Sequence, residues 1–326
     1  MKNTIRRLLA ALLLSAASGS QAVTALGTFG SCQVGSNATV FAYCSEIDET
    51  LIGVPSGTVV SGGDGALIAY AGSANVSGYA AFGRLGASVS ATSYNSGSSA
   101  STALANNLST ADMIVRFADG LTVNGGALNG QAGFMLVNWQ LDGGGGAFVG
   151  GPQPVNNQKA GAMWTFELFS ATGSFLTQEQ EASAGVGWPD SQSLTGSSFT
   201  SLIPIVFGQS TYLGAQLEVQ ASASAGIPTL PLDDPTYFMT RSASGSADFE
   251  HTLSWDGIAQ VTDAHGNVVT GWSVSSESGT DYGNAITVVP EPAGWALWLA
   301  GLAGIAVCRQ PRAWPRRGVA GPVSPA

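Results

Sequence analysis

The sequence predicts an all-β protein: an antiparallel β-sandwich, jelly-roll-like, framed by an N-terminal signal peptide and a single short C-terminal transmembrane helix. Three observations predict it. Apolar and polar residues alternate with period two along much of residues 23–288, turn-forming clusters punctuate those runs, and no stretch of the body keeps a helical period over three turns. The composition agrees, because 326 residues with 44 Gly, 44% apolar and 10% charged can bury a core but must turn often.

Taken from the start, residues 1–22 have the three parts of a signal peptide. Lys2, Arg6 and Arg7 supply the positive region, Leu8 to Ala17 the short apolar region, and Ser20-Gln21-Ala22 a small-x-small site for signal peptidase, with cleavage between Ala22 and Val23. The apolar run is too short for a permanent span. Export implies an oxidising compartment, so Cys32 and Cys44 are expected to form a disulfide contributing about 3 kcal/mol by loop-closure arithmetic. Two buried free thiols are the alternative. No His or further Cys lies nearby to complete a tetrahedral metal set.

In the body, residues 23–288, the clearest strand is Tyr212 to Gly226. There Leu213, Ala215, Leu217, Val219, Ala221 and Ala223 fall on one face, and Gln216, Glu218, Gln220, Ser222 and Ser224 on the other. Similar alternation marks Ala66–Tyr70, Val76–Phe82, Leu85–Tyr94, Met113–Val123, Phe134–Leu141, Ala162–Phe169, Phe249–Trp255, Ile258–Val261 and Gly271–Ser275. Turns are predicted at Ala118-Asp119-Gly120, Asp142-Gly143, Asp263 to Asn267 and Ser278 to Asp281. The Gly- and Pro-rich stretches Gly143–Gln158 and Gly226–Pro235 read as subdomain boundaries or long surface connections, and Gly86–Ala105 as a strand or a flexible insertion.

At the C-terminus, Pro290-Glu291-Pro292 precedes AGWALWLAGLAGIAV, Ala293 to Val307, which carries no charge; Arg309, Arg312, Arg316 and Arg317 follow. Pro292 suits a helix start. The helix is short for a hydrocarbon core of about 30 Å, and Trp295 and Trp298 suit an interface. The arginines are held on the cytoplasmic side, which leaves the body outside. The two prolines keep the backbone around Glu291 extended, as a peptidase requires. Tripeptide, short apolar helix and basic cluster in this order resemble the sorting signal of PEP-CTERM proteins, here residues 289–317, with 318–326 as an extension beyond the family's usual ending. The resemblance implies membrane retention of the precursor and cleavage near the tripeptide by an exosortase-type enzyme. Residues Ala247 to Tyr282 also resemble the last strands found before that signal.

Charge narrows the function. Seven of the 11 basic residues lie in the two terminal signals, so residues 23–289 hold Arg84, Arg116, Lys159 and Arg241 against 20 acids, a net of −16. Such a body repels phosphate backbones, which excludes nucleic acid as the expected partner. Asp233 and Asp234, and Asp263 with Asn267, are candidate oxygen donors for structural Ca2+ or else polar turn caps; neither stretch is an EF-hand loop, and no other cofactor is expected.

Glu46-Ile47-Asp48-Glu49 resembles the active-site strand of laminarinase-like glycosidases, but Thr50 stands where the third same-face carboxylate is needed. There is no G-x-S-x-G elbow, and His251 and His265 have no nucleophile partner by spacing. Trp188, Tyr237 and Trp272 are candidates for stacking on sugars, with core packing as the alternative. The expectation is an exported, noncatalytic protein of the cell surface or extracellular matrix of a diderm bacterium, associated with exopolysaccharide. A carbohydrate-binding module and a secreted polysaccharide hydrolase are the alternatives.

Overall fold

In the computed structural model the described residues are 25–36, 39–48, 56–64, 68–98, 106–151, 158–170, 173–186, 188–226 and 238–286. They belong to one compact unit, Met1–Thr287. The strands are β1 (Ala25–Ser36), β2 (Thr39–Asp48), β3 (Ser56–Asp64), β4 (Ile68–Ala81), β5 (Arg84–Ser98), β6 (Asn106–Asn124), β7 (Ala132–Gly150), β8 (Lys159–Ser170), β9 (Gly173–Gly185), β10 (Ser191–Val206), β11 (Ser210–Gly226), β12 (Phe238–Asp263) and β13 (Ser273–Ser276). All pairings are antiparallel. One sheet has the order β2-β1-β6-β11-β8-β9, with β13 also on β6, and the other β10-β7-β12-β5-β4-β3. The all-β, antiparallel, sandwich-like prediction holds.

Period-two burial explains why these sequences become strands. Along β11 the six apolar residues from Leu213 to Ala223 are buried, and the polar set from Gln216 to Ser224 stands half-exposed between them. Along β8, Ala160, Ala162, Trp164, Phe166 and Leu168 point inward in the same way. The interior is graded. One end holds an aromatic chain in which Trp139 lies 6.1 Å from Phe117, 5.4 Å from Phe166 and 5.2 Å from Trp255, and Trp255 lies 5.0 Å from Tyr282. Towards the other end the inward residues are small: Ala91, Ala111, Ala147, Ala223 and Ala243. There the sheets pinch together. A Cβ on Gly245 of β12 would strike the carbonyl oxygens of Gly161 and Ser222 in the opposite sheet, so only glycine permits this approach.

The pinched end also buries polar groups. Arg241 donates from Nη1 to Gln158 Oε1 at 3.1 Å, and Gln158 Nε2 donates to the carbonyls of Gly150 and Ser242 at 2.7 and 2.9 Å. At the aromatic end, residues 273–286 tie the two sheets. β13 pairs with β6 in one sheet, while Trp255 of the other donates its indole N–H to the Tyr282 carbonyl at 2.9 Å and accepts the Ile286 N–H at 2.9 Å. Burial, helped by the Asp119 carboxylate, pushes the Tyr282 phenol far above its usual range.

Two predicted turns are strands instead. Ala118-Asp119-Gly120 lies within β6, where the buried Asp119 carboxylate accepts the Gly120 N–H at 2.8 Å, the Ser278 N–H at 3.1 Å and the Ser278 hydroxyl. Tertiary partners, absent from local sequence, satisfy this Asp. Asp142-Gly143 and the glycines after it lie within β7, and Gly143–Gly150 is neither boundary nor loop. A Cβ on Gly145 would meet the backbone of β12, at 2.8 Å from Ala247 Cα, so glycine here serves close strand approach rather than turning. The Gly86–Ala105 stretch is strand to Ser98. The predicted turns at 263–267 and 278–281 are found as expected.

Candidate functional site on the outer face of the six-stranded sheet

Several predicted site residues lie outside the described residues: Ala22, Val23, Glu49, Asp233, Asp234, Tyr237, Pro290, Glu291, Pro292, Arg309, Arg312, Arg316 and Arg317. Cys32 stands directly opposite Cys44 in the β1–β2 register. Glu46 and Asp48 lie on β2, at the edge of its sheet. His251 lies in β12 beside a register irregularity, and His265 is exposed in the turn after that strand. Asp263 caps this turn: Oδ1 accepts the N–H groups of His265 and Asn267 at 2.8 and 2.9 Å, and Oδ2 accepts Asn267 Nδ2 at 2.9 Å. The hydrogen bonds from Asn267 and His265 hold its carboxyl below the usual value. No group of three or more His, Cys, Asp or Glu suited to a metal is found among the described residues.

The stacking candidates separate. Trp272 is partly buried against the core, whereas Trp188 is 60% exposed in the β9–β10 connection. Two further aromatic side chains stand exposed, Tyr94, 40%, and Phe148, 50%. Both stand on the outer face of the six-stranded sheet, over its pinched end. The reason is steric, because the rows beside them have inward alanines and glycine, leaving no interior volume for a ring. Trp188 belongs to the same end: the Val149 N–H, next to Phe148, donates to the Asp190 carbonyl at 3.0 Å. Trp188 was identifiable from sequence. The signal for Phe148 was its place between Ala147 and Val149, since three successive apolar residues in a strand force one outward; for Tyr94 it was the inward parity of Val89 and Ala91.

Around the two rings the face is built from hydroxyls in register. One row runs Ser73, Thr92, Ser244, Phe148, Ser191 across β4, β5, β12, β7 and β10; the next runs Asn75, Ser90, Ser246, Gly146, Ser193; a third runs Ser77, Ser88, Asp248, Gly144, Thr195. No register shift interrupts these rows. Ser73 and Thr92 hydroxyls lie 2.6 Å apart, and Asn75 Nδ2 donates to Ser90 Oγ at 3.1 Å. The single carboxylate in the three rows is Asp248. At the rim beyond β10, Glu181, Ser191, Gln192 and Ser193 line an open depression of about 540 Å3. Its walls are held by Gln192 Oε1, which accepts the Ser183 N–H at 2.7 Å, and by Gln180 Oε1, which accepts the Thr195 N–H at 3.0 Å. These bonds stitch the edge strands β9 and β10 together across the two sheets.

Comparison with protein-family models, curated proteins and solved structures finds no match to this chain.

Proposed function

We propose that this protein is an exported, noncatalytic component of the cell surface or extracellular matrix of a diderm bacterium, sorted by its C-terminal signal and associated with exopolysaccharide. The observation that carries the reading is the ordered tail: Pro290-Glu291-Pro292, the uncharged Ala293–Val307 segment and the arginines from Arg309 to Arg317, like the PEP-CTERM signal and its exosortase. The body is compatible with this topology. Its last described residue, Ile286, is bonded to Trp255, so the described fold continues to within a few residues of the tripeptide in sequence. The strand order β5-β12-β7-β10 facing β6-β11-β8-β9 supports a jelly roll for the eight consecutive strands β5 to β12. The register Cys32 to Cys44 supports a disulfide in the mature protein, because directly opposed antiparallel residues have Cα atoms about 4.5–5.5 Å apart and a disulfide accepts about 4.4–6.8 Å.

Mass spectrometry of the protein released by its native host tests the sorting reading. The mature C-terminus is expected near the tripeptide, and Glu291→Ala is expected to accumulate membrane-bound precursor. Released protein that still contains Arg316 and Arg317 would overturn it. The carbohydrate-binding reading is favoured over hydrolysis by one specific observation, the 60% exposure of Trp188 in the connection that leads to the polar rim at Ser191.

A further inference from the structure

We infer that the outer face of the six-stranded sheet is a docking surface for an extended, uncharged polysaccharide chain, laid over Tyr94 and Phe148 towards Trp188 with the hydroxyl rows beneath it. The inference rests on the reading of a polysaccharide-associated surface protein and adds the face, the residues and the chemical class of the ligand.

Two independent observations carry it. The first is the placement of exposed aromatic side chains: Tyr94 and Phe148 share the outer face at one end of the six-stranded sheet, and Trp188 lies in the connection that leads into its edge strand β10, where the Asp190 carbonyl is bonded to the Val149 N–H. Tyr94 is paired with Ser242 and Phe148 with Ser244, on the two sides of β12. The two positions are therefore separated by two strand spacings of about 4.8 Å and one two-residue step of about 6.8 Å. Rings so far apart do not stack on each other; each offers its own face or edge. A sugar ring presents an apolar C–H face that an aromatic side chain covers, and successive sugars of one chain can use successive platforms.

The second observation is the chemistry between the rings. Ser and Thr hydroxyls both donate and accept, as sugar hydroxyls do, and the three rows carry them on β4, β5, β12 and β10 without a register break, β7 contributing Phe148, Gly146 and Gly144. The rows contain no cation and one carboxylate, Asp248, within a body of net charge −16. That absence of positive charge disfavours a polyanionic chain. Interspersed hydroxyls also break up any continuous apolar patch of the size that marks a protein or membrane docking site. Gly144 and Gly146 leave bare backbone between the side chains of β12 and β10, a shallow floor on which a chain can lie close.

Native affinity electrophoresis of the full-length protein tests this, with gels containing soluble mixed-linkage β-glucan, xylan, galactomannan or, as a polyanionic contrast, alginate, and with pull-down on cellulose and chitin. At least one neutral polymer is expected to retain the protein, with little change at high salt. Tyr94→Ala combined with Phe148→Ala is expected to weaken retention roughly ten-fold or more, the scale of losing stacked rings. Ser244→Arg, which removes no packing, should also weaken it, while Thr165→Arg on the outer face of the other sheet should leave it unchanged. Near-ultraviolet circular dichroism confirms that each variant is folded. Retention by none of the neutral polymers, retention by alginate alone, or equal losses from Ser244→Arg and Thr165→Arg would overturn the inference. Sorting is read separately: a protein cleaved at the tripeptide that binds no neutral glycan sinks only this inference, and one that binds but keeps Arg316 and Arg317 sinks only the sorting signal.

Discussion

The two outer faces of the sandwich contrast sharply although their inner faces share one core. On the seven-stranded sheet, Asp112 and Arg116 of β6, Glu218 of β11, Glu167 of β8 and Glu179 and Glu181 of β9 stand outward among glutamines. Arg116 lies near enough to Tyr212 to oppose the upward push that burial gives its phenol. In the three rows of the six-stranded sheet the positions are Ser, Thr, Asn and Gly, with Phe148 and a single carboxylate, Asp248, and the Tyr94 ring stands beside them. The lesson is that the acidic character of the chain is carried unevenly. Charge is concentrated on one face, and the other presents mainly neutral polar groups.

The contrast can be broken at several points, beginning with the largest expected effect. On the seven-stranded side, Cys44→Ser removes the proposed bond to Cys32 and is expected to cost about 3 kcal/mol in urea unfolding, in keeping with closure of a short loop. Equal stability of wild type and variant under oxidising conditions would show that no such bond forms. On the six-stranded side, Gly145→Ala is expected to cost about 1–3 kcal/mol, the usual penalty of overpacking, because the new methyl meets backbone of β12. Gly161→Ala on the other sheet meets only the Ser222 hydroxyl, at 3.0 Å, and Ala182 O, at 3.9 Å, so its loss should be well below that of Gly145→Ala in the same unfolding series. A reversed order would mean that the glycine run is not set by strand approach.

The smallest effect concerns the turn after β12. The Asp263 carboxyl is held below its ordinary value of 3.8 by hydrogen bonds from Asn267 and His265. Its folded value is the lower one, so its contribution is present above the unfolded value and lost as pH falls through the folded one. A carboxyl NMR titration should give a midpoint under 3.8 for Asp263, and Asn267→Ala should move it upward. A midpoint unchanged in Asn267→Ala would remove Asn267 as the cause.

Much of the fold was legible locally where alternation is strong. β8 and β11 could be read residue by residue, because each inward position is apolar and each outward one polar. β9 and β10 were missed, since TQEQE and SQSLTGSS carry too few apolar residues to show a period. They are edge strands, which need only one neighbour and one buried side. Pro204 fits such an edge because its missing N–H has no ladder to break. The buried Arg241 and Asp119 were illegible for a different reason: their partners Gln158 and Ser278 lie 83 and 159 residues away.

By itself the sequence determined strand content, the inward parity of the core residues, the excess of acid in the body and the ordered motifs at both ends, because these depend on nearest neighbours and on counting. Only the tertiary structure decided which outward residues share a face. Period two fixes that Tyr94 and Phe148 point away from the core, but their flanking of β12, the bond that ties the segment after Trp188 to Val149 and their serine surroundings follow from pairings between strands distant in the chain. Register is a long-range property, and the candidate site is made of register.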